Sequence, residues 1–467
     1  MDEHDMYSKN YTLIFDPIVN SNGNVRCINR SKGKESNVGI TIDDREFRCR
    51  VQQGFPSIIA DIIDLAVAIH ATDRLTIQNL RQEQTYICVC LPVRHPELLN
   101  TNSFQDKLSG LLEWATGSRW VFDFCKRLDS GRVVECQPLL LSPNSHVEEV
   151  ALWSGGLDAL AGLYSRLKAS NEASFMLFGT GGNESTLARQ KQVFHELQFS
   201  FPSRLNLCRV PIRFSDSSLH RKSKISRARG IVFMLLGAAC AYLMGQRILY
   251  LYENGVGAIN LPYRKSAIGL DHSRSVHPLT LSRVSDVISE LLGEKFKIQN
   301  PFLFQTKAEM CIPLAEDKRD DLPQLTMSCD SPHRRQPIQC GYCSSCILRR
   351  QALAASRIED KTQYIVPHVK KPAGDTSSYF QHMLAQVSTL RDLLSVSDNF
   401  NLQWKSLTRR FPDLDDIVDR MAMIEVLLHS DMRKNLIRLY QSYVTEWNVV
   451  ESRISLLLNE VNDQQPF

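Results

Sequence analysis

The sequence has no uninterrupted apolar run of the roughly 18 residues that a membrane-spanning helix requires, which excludes such a span. It also has little net charge. Lys and Arg number 55 against 51 Asp and Glu, a formal +4. That leaves no broad basic surface for direct nucleic-acid binding or for an anionic membrane, so neither partner is expected. The opening residues, M-D-E-H-D, lack the basic and apolar regions of a secretory signal. A cytoplasmic location is therefore expected. There are no long-period repeats and no low-complexity segments, which excludes solenoid and fibrous architectures. Two phosphate-binding signatures are missing as well. No glycine loop is followed by G-K-S/T, and there is no G-x-G-x-x-G loop after a strand.

What remains is an ordinary globular composition, 43% hydrophobic and 23% charged. A chain of 467 residues is long enough for two or three domains with cores of their own. Most of its 13 cysteines are scattered singly in apolar runs, as Cys88, Cys90, Cys125 and Cys240 are. That is the pattern of small buried hydrophobes in a reducing compartment.

Residues 1–146 predict an α+β unit. Tyr11–Phe15, Phe47–Val51, Tyr86–Leu91 and Trp120–Phe124 alternate or run apolar like strands. Asn20–Asn37 reads as a loop or hairpin connection, and 56–70 and 103–116 as helices. Asp61, Asp64 and His70 share the first helix and are read as solvated positions on an amphipathic surface.

A turn-rich junction, L-S-P-N-S, places a boundary near 146. From there strands and helices alternate at about thirty residues per repeat, which implies βαβ units and a parallel sheet. The predicted strands are the run into Trp153, then 174–178, 205–212 and 247–252; the helices are 158–169, 184–198 and 226–245. Residues 260–278 are polar and aperiodic and read as a long functional loop. A helix is expected over about 280–293. Residues 367–378 have linker composition, and 379–467 are helix-patterned. That last region is read as a cap packed on its own core, with a docking or dimerising tail, and hence a homodimer, kept open beside it.

The first chemistry-bearing stretch is V-A-L-W-S-G-G-L-D, residues 150–158. A strand meets Ser154, Gly155 and Gly156, then turns into a helix with Leu157 and Asp158 in its first turn. Glycines let backbone approach an anion closely, and the unpaired amides of a helix start carry partial positive charge. An ordinary βα turn capped by Ser154 would look similar. By the switch-point rule, ligands lie at strand carboxyl ends. Ser154 and the segment Glu253-Asn254-Gly255 should therefore line one crevice.

The second is C-D-S-P-H-R-R-Q-P-I-Q-C-G-Y-C-S-S-C. Cys329, Cys340, Cys343 and Cys346 can supply four thiolates to one tetrahedral ion, with Gly341 permitting a tight turn. All-thiolate coordination with no open position favours structural Zn²⁺. An Fe–S cluster and a redox dithiol are the alternatives, and Cys311 and His333 are possible substitute ligands.

S-G-G-L-D at 154–158 resembles the S-G-G-x-D-S signature of the PP-loop ATP pyrophosphatases, with Ala159 where the family has its final serine. With the cysteine cluster and C-I-L-R ending at Arg349, the stretch 147–360 is similar to QueC, the 7-cyano-7-deazaguanine synthase family. S-R-A-R-G-I-V-F resembles its helix start, with Arg229 at the family arginine and Gly230 in place of its asparagine. Y-E-N-G-V-G-A-I-N resembles its substrate-side loop, whereas S-R-S-V-H-P at 273–278 departs from it. QueC itself is compact, at about half this length. The long form resembles the QueC-like proteins of bacterial antiviral operons, of the Qat and type IV CBASS kind, whose N-terminal helix looks like A-D-I-I-D-L-A-V-A-I-H.

The resemblance implies a PP-loop α/β domain over 147–366 that binds ATP and Mg²⁺ and carries a zinc knuckle. It implies ATP contacts from Ser154, Gly155, Gly156, Leu157, Asp158 and Arg229, with Asp158 assisting the metal. The basic run Arg221-Lys222 and Lys224, before Arg227 and Arg229, suits phosphate charge. Glu253, Asn254 and Asn260 would read a 7-deazaguanine edge, with Arg274 and His277 from the long loop. Arg349, held by the knuckle, would face the ligand as a catalytic cation. The activity implied is adenylation of a 7-carboxy-7-deazaguanine carboxylate followed by attack of an amine. That amine is ammonia in QueC and belongs to an operon-encoded protein partner in the antiviral versions. A plain nitrile synthase of queuosine biosynthesis and a non-catalytic nucleotide-sensing subunit are the alternatives.

Overall fold

A computed structural model describes residues 10–50, 55–76, 85–128, 131–132, 135, 147–181, 184–215, 226–262, 274–330, 338–365, 379–425 and 428–459. Arg221, Lys222, Lys224, His333, residues 263–273 of the expected 260–278 loop and the 367–378 linker fall outside them. Among the described residues no helix is long and apolar enough to cross a membrane.

The first sheet has six strands: β1 (Tyr11–Phe15), β2 (Asn22–Asn29), β3 (Lys34–Ile42), β4 (Tyr86–Val93), β5 (Arg119–Lys126) and β9 (Ile212–Phe214). Their order is β5-β4-β1-β2-β3-β9. Strands β1, β4 and β5 run parallel, and β2, β3 and β9 are antiparallel additions. The stretch Asn20–Asn37, expected as a loop or hairpin connection, is mostly a β-hairpin, in which Val25 and Cys27 face the core while Asn22, Asn24 and Arg26 face water. Phe47–Arg50, expected within a strand, is helical instead. Residues Arg45–Arg50 form helix α1, and the alternation expected of F-R-C-R-V has a single buried anchor, Phe47, in the described side chains.

Helix α2 (Ser57–Leu75) is buried almost all round. It packs between the first sheet and the helix Arg229–Leu243, so its polar residues are covered. Asp61 and Asp64, expected to be solvated, are enclosed and paired. Arg94 reaches Asp61 Oδ1 at 3.0 Å and Asp64 Oδ2 at 2.6 Å, and Arg127 reaches Asp64 at 3.1 Å. The amides of Arg94 and His95 donate to Asp61 at 2.8 and 2.9 Å. A carboxylate that accepts backbone amides and a guanidinium is satisfied without water. Half-buried His70 stacks on Phe214 at 5.6 Å. Short α3 (Pro96–Leu99) and α4 (Asn102–Thr116) complete this unit.

The second sheet is all parallel, with β6 (Glu149–Leu152), β7 (Phe175–Thr180), β8 (Leu205–Val210), β10 (Ile248–Tyr250) and β11 (Lys297–Gln299) in the order β11-β10-β6-β7-β8. Helices α5 (Leu157–Ala169), α6 (Glu184–Ser200), α7 (Arg229–Leu243), α8 (Gly255–Ile259), α9 (Pro278–Leu292), α10 (Lys307–Glu316) and α11 (Ser344–Ala355) surround it. The short apolar runs V-A-L of β6 and F-M-L-F of β7 are what a sheet covered on both faces needs. The two sheets share one apolar core. It runs from Leu13 and Val89 through Ile62 and Ile69 of α2 to Leu235, Leu236 and Leu249.

The C-terminal region forms α12 (Tyr379–Leu394), α13 (Phe400–Arg410), α14 (Asp413–Glu425) and α15 (His429–Asn459). Their buried side chains, Leu390, Leu407, Leu436 and Trp447 among them, join a cluster with Ile259, Leu303 and Ile347. These helices therefore cap the elements that carry the candidate site.

Candidate active site and metal centre

Strand β6 delivers the chain to Ser154, and Gly155 turns it with φ +74°. A side chain at Gly155 would be strained by that dihedral and would stand 3.2 Å from the Cα of Gln190. Gly156 is the N-cap residue of α5, not Ser154 as the capped-turn alternative had it. The Ser154 hydroxyl instead accepts from the Gly156 amide at 3.2 Å, bracing the turn. The first-turn amides of α5 have no carbonyl to pair with inside the helix. Gly155→Ala is expected to cost about 2 kcal/mol from the forced φ and the crowding, read as a lowered unfolding midpoint in urea.

Asp158 projects from the first turn of α5 into a group of three side chains. Lys307 Nζ lies 2.7 Å from its Oδ2. Asn254 Nδ2 donates to its Oδ1 at 2.9 Å and to Glu253 Oε1 at 2.8 Å. Strand β10 lies beside β6, so Glu253 and Asn254, just past its end, reach the glycine loop. Asn254 Oδ1 caps α8 through the Gly257 amide at 2.8 Å, and Asn300 clasps the backbone of Glu253, donating to its carbonyl at 2.8 Å. Burial, then the adjacent Asp158 charge, push the Glu253 carboxyl up to about 8. Burial pulls the Lys307 ammonium down, but Asp158 and Glu253 outweigh it and its pKa is raised. The group thus holds one firm ion pair and one carboxyl that keeps its proton near neutrality.

Lys307 has no place among the residues singled out from sequence. It was nonetheless signalled by T-K-A-E at 306–309, a capping box that starts α10. The Thr306 hydroxyl accepts from the Glu309 amide at 3.0 Å, and Glu309 accepts from the Thr306 amide at 2.9 Å. That fixes the residue after the cap and aims it at Asp158.

Arg349 departs from its expected role as a ligand-facing cation. It is fully buried, and its guanidinium donates to the Pro323 carbonyl and the Thr326 hydroxyl at 2.6 Å, and to Thr362 at 2.8 Å. It holds the 323–328 segment, which in turn grips the glycine loop: the Met327 amide donates to the Gly155 carbonyl at 3.1 Å. Arg349 positions the loop from behind because the C-I-L-R spacing turns it into the protein from α11.

The other expected residues are also engaged. Arg274 stacks over Trp114 at 3.7 Å and donates to that residue's carbonyl. His277 caps α9, its Nδ1 accepting from the Leu279 amide at 3.2 Å. Burial, then Arg274, lower the His277 imidazole to about 3, so it stays neutral. Both are brought together with Trp114 of α4, and no bond joins them to Asp158. Asn260 ends α8 in the left-handed conformation, φ +49°. Arg229 is exposed at the first turn of α7, whose start is held by Asp73 of α2 through the Ser226 hydroxyl and the Ala228 amide. Gly230 presses on the Ser275 backbone, where a Cβ would meet the carbonyl oxygen at 2.5 Å. An asparagine does not fit there. Ala159 is buried on α5.

The four cysteine sulfurs of 329, 340, 343 and 346 all lie within 4.8 Å of one another. A tetrahedral Zn²⁺ with thiolates at ~2.3 Å sets sulfurs about 3.8 Å apart, and Cys340 and Cys346 are 3.8 Å apart. Amides of Tyr342 and Cys343 donate to Cys340 Sγ at 3.5 and 3.3 Å, and that of Cys340 to Cys329 at 3.3 Å. Such donors favour thiolates. Gly341, at φ +85°, makes the turn. The donor set fits a zinc ion. Cys311 stands apart from it, buried on α10, its thiol pushed up to about 12 by burial and Asp158. Gln339 ties the knuckle to the glycine loop's clasp, accepting from the Ser328 amide at 3.0 Å and donating to the Thr326 carbonyl at 3.1 Å.

A parallel α/β sheet, a glycine turn feeding a helix start and a four-cysteine knuckle locked to that turn define an architecture suited to a nucleotide. Residues 278–357 match the family model described as queuosine biosynthesis protein QueC. The match spans under a fifth of the chain, including Lys307, all four cysteines and Arg349. Over that stretch the chain is similar to QueC, and the glycine loop at 154–158 lies outside the match. No curated protein matches the chain.

Proposed function

We propose that the chain is an ATP-dependent carbon–nitrogen ligase of QueC type, acting in antiviral defence. It adenylates the carboxylate of a 7-carboxy-7-deazaguanine-type substrate and passes the acyl group to an amine on a partner protein. The observation that carries this reading is the Asp158–Lys307–Asn254–Glu253 group at the first turn after the glycine loop. A carboxylate oxygen attacks the α-phosphorus of ATP, the bond to pyrophosphate breaks, and an acyl adenylate forms. The amine then attacks the acyl carbon, AMP leaves with the bonding pair, and the amine nitrogen loses a proton. The loop amides suit phosphate oxygens, and the buried Lys307 ammonium suits the charge that develops as pyrophosphate departs. Mg²⁺ would screen the triphosphate, with Asp158 the nearest carboxylate to the loop. Glu253, protonated near neutrality, can donate to an acceptor on the base edge or accept after losing its proton.

Ala159 and Gly230 support a second reading, a nucleotide-sensing subunit without turnover, since each removes a polar group where the QueC pattern has one. One experiment separates the outcomes. The full chain is incubated with ATP, Mg²⁺ and 7-carboxy-7-deazaguanine, with and without candidate partner proteins. Pyrophosphate release and a mass shift on a partner are expected. Free nitrile would instead make it a synthase of the queuosine route, and no pyrophosphate would leave the sensor. Asp158→Ala is expected to abolish release with the fold retained; persistent release would remove Asp158 from the machinery.

A further inference from the structure

The elements carrying Lys307 and Arg349 meet at one carboxylate that belongs to neither. Glu446 lies on α15, outside residues 278–357. Its Oε1 accepts from the Thr306 hydroxyl, and its Oε2 accepts from Gln351 Nε2 at 3.0 Å. Thr306 caps α10 and immediately precedes Lys307. Gln351 is buried on α11, two residues after Arg349. A hydroxyl has one proton to donate. Giving it to Glu446 leaves the Thr306 oxygen free to accept from the Glu309 amide, so the contact also sets the geometry of the cap. The same helix grips the turn a second time. Arg438 pairs with Glu309 at 2.7 Å and donates to the Phe304 carbonyl. Leu439 of the same helix also packs at Gly255, where a Cβ would meet the Leu303 carbonyl oxygen first, at 1.9 Å, and the Leu439 Cδ2 at 2.7 Å.

We propose that Glu446 is a positioning residue for the nucleotide site: it clamps the Thr306 cap to α11 and so sets Lys307 against Asp158. The C-terminal helices are then part of the catalytic architecture and not only a cover. This rests on the ATP reading of the Asp158 site. Replacing Glu446 by Leu leaves the Thr306 hydroxyl and the buried Gln351 amide without their acceptor, which lowers stability. A purely structural role therefore predicts a lower Tm in Glu446→Leu, with the kcat and the Lys307 labelling of the folded protein unchanged. Burial raises Glu446 to about 7, with Glu309 adding to the shift and Thr306, Gln351 and Arg438 opposing it. Glu446→Gln keeps an acceptor for Thr306 and should behave like the parent at pH 7.

The test uses the full chain with ATP, Mg²⁺ and 7-carboxy-7-deazaguanine. Glu446→Leu is expected to lower the kcat for pyrophosphate release about tenfold or more at a temperature where the protein stays folded, with Tm lowered and Glu446→Gln near the parent. Competitive acetylation read by mass spectrometry measures Lys307 directly. Its labelling relative to surface lysines should rise about threefold in Glu446→Leu as the clamp loosens. Unchanged Lys307 labelling in Glu446→Leu overturns the proposal. If that variant does not fold, Gln351→Leu removes the other end of the clamp, leaves the Thr306 cap intact and is read the same way. If the parent releases no pyrophosphate, the ATP reading fails, and Lys307 labelling alone decides the clamp.

Discussion

Lys307→Met is expected to reduce ATP turnover about 10²–10³-fold, since it deletes the buried ammonium paired with Asp158. A second effect should accompany it. The Lys307 side chain is only 6% exposed, and its loss leaves Asp158 and Glu253 as neighbouring carboxylates with no cation on them. Stranding a buried charge in this way costs about 3 kcal/mol. The pH dependence has a defined sign. Glu253 already titrates near 8 in the folded protein, well above its ordinary value, and Lys307 is what restrains it. In the variant it rises further. A carboxyl whose folded pKa is raised stabilises the fold fully below its unfolded pKa, and that contribution is lost as pH rises through the folded value. The deficit of Lys307→Met relative to the parent should therefore be small near pH 4 and largest above pH 8. Thermal melts across that range check it. A deficit that grows on acidification would remove Lys307 from the pair.

Zinc removal is expected to have the larger effect on the fold. Structural Zn²⁺ binding in small cysteine sites is worth about 10–16 kcal/mol at neutral pH. The loss should not stay local. Cys329 and Cys340 are joined through Gln339 to the 326–328 backbone, and Met327 holds the Gly155 carbonyl. Cys343→Ser, or treatment with a strong chelator, should release close to one equivalent of zinc and lower the unfolding midpoint. The glycine loop should also become exchange-competent. Hydrogen exchange of amides 154–160 offers a readout independent of catalysis. Protein that carries no metal as purified, or loop amides unaffected by its removal, would break this connection.

The features legible in the sequence are those whose physics is local. A glycine pair between an apolar strand and a helix start, and cysteines at two-residue spacing, specify their own geometry wherever they lie. Lys307 escaped because its partner, Asp158, is far away in sequence, although the capping box around it was readable. Arg349 was placed near the site, but its facing was not legible. A helix position fixes direction only once the covering elements are known, and the 323–328 segment covers it. Asp61 and Asp64 show the same blindness in α2, whose polar positions look solvated until Arg94 and Arg127 close over them. Arg274 and His277 sit in a loop expected to meet a ligand and instead meet Trp114, contributed by an earlier unit of the chain.

Strand β9 has a consequence for synthesis. Its residues, Ile212–Phe214, complete the edge of a sheet whose neighbouring strand, β3, ends at Ile42. At ~5–20 residues per second, a ribosome delivers that partner roughly ten to thirty seconds after β3. During that interval the nascent chain carries an unpaired, partly apolar edge, the kind of surface that recruits a neighbouring polypeptide. The first unit is thus a client of the second during birth. An excised 1–146 fragment would keep that open edge permanently.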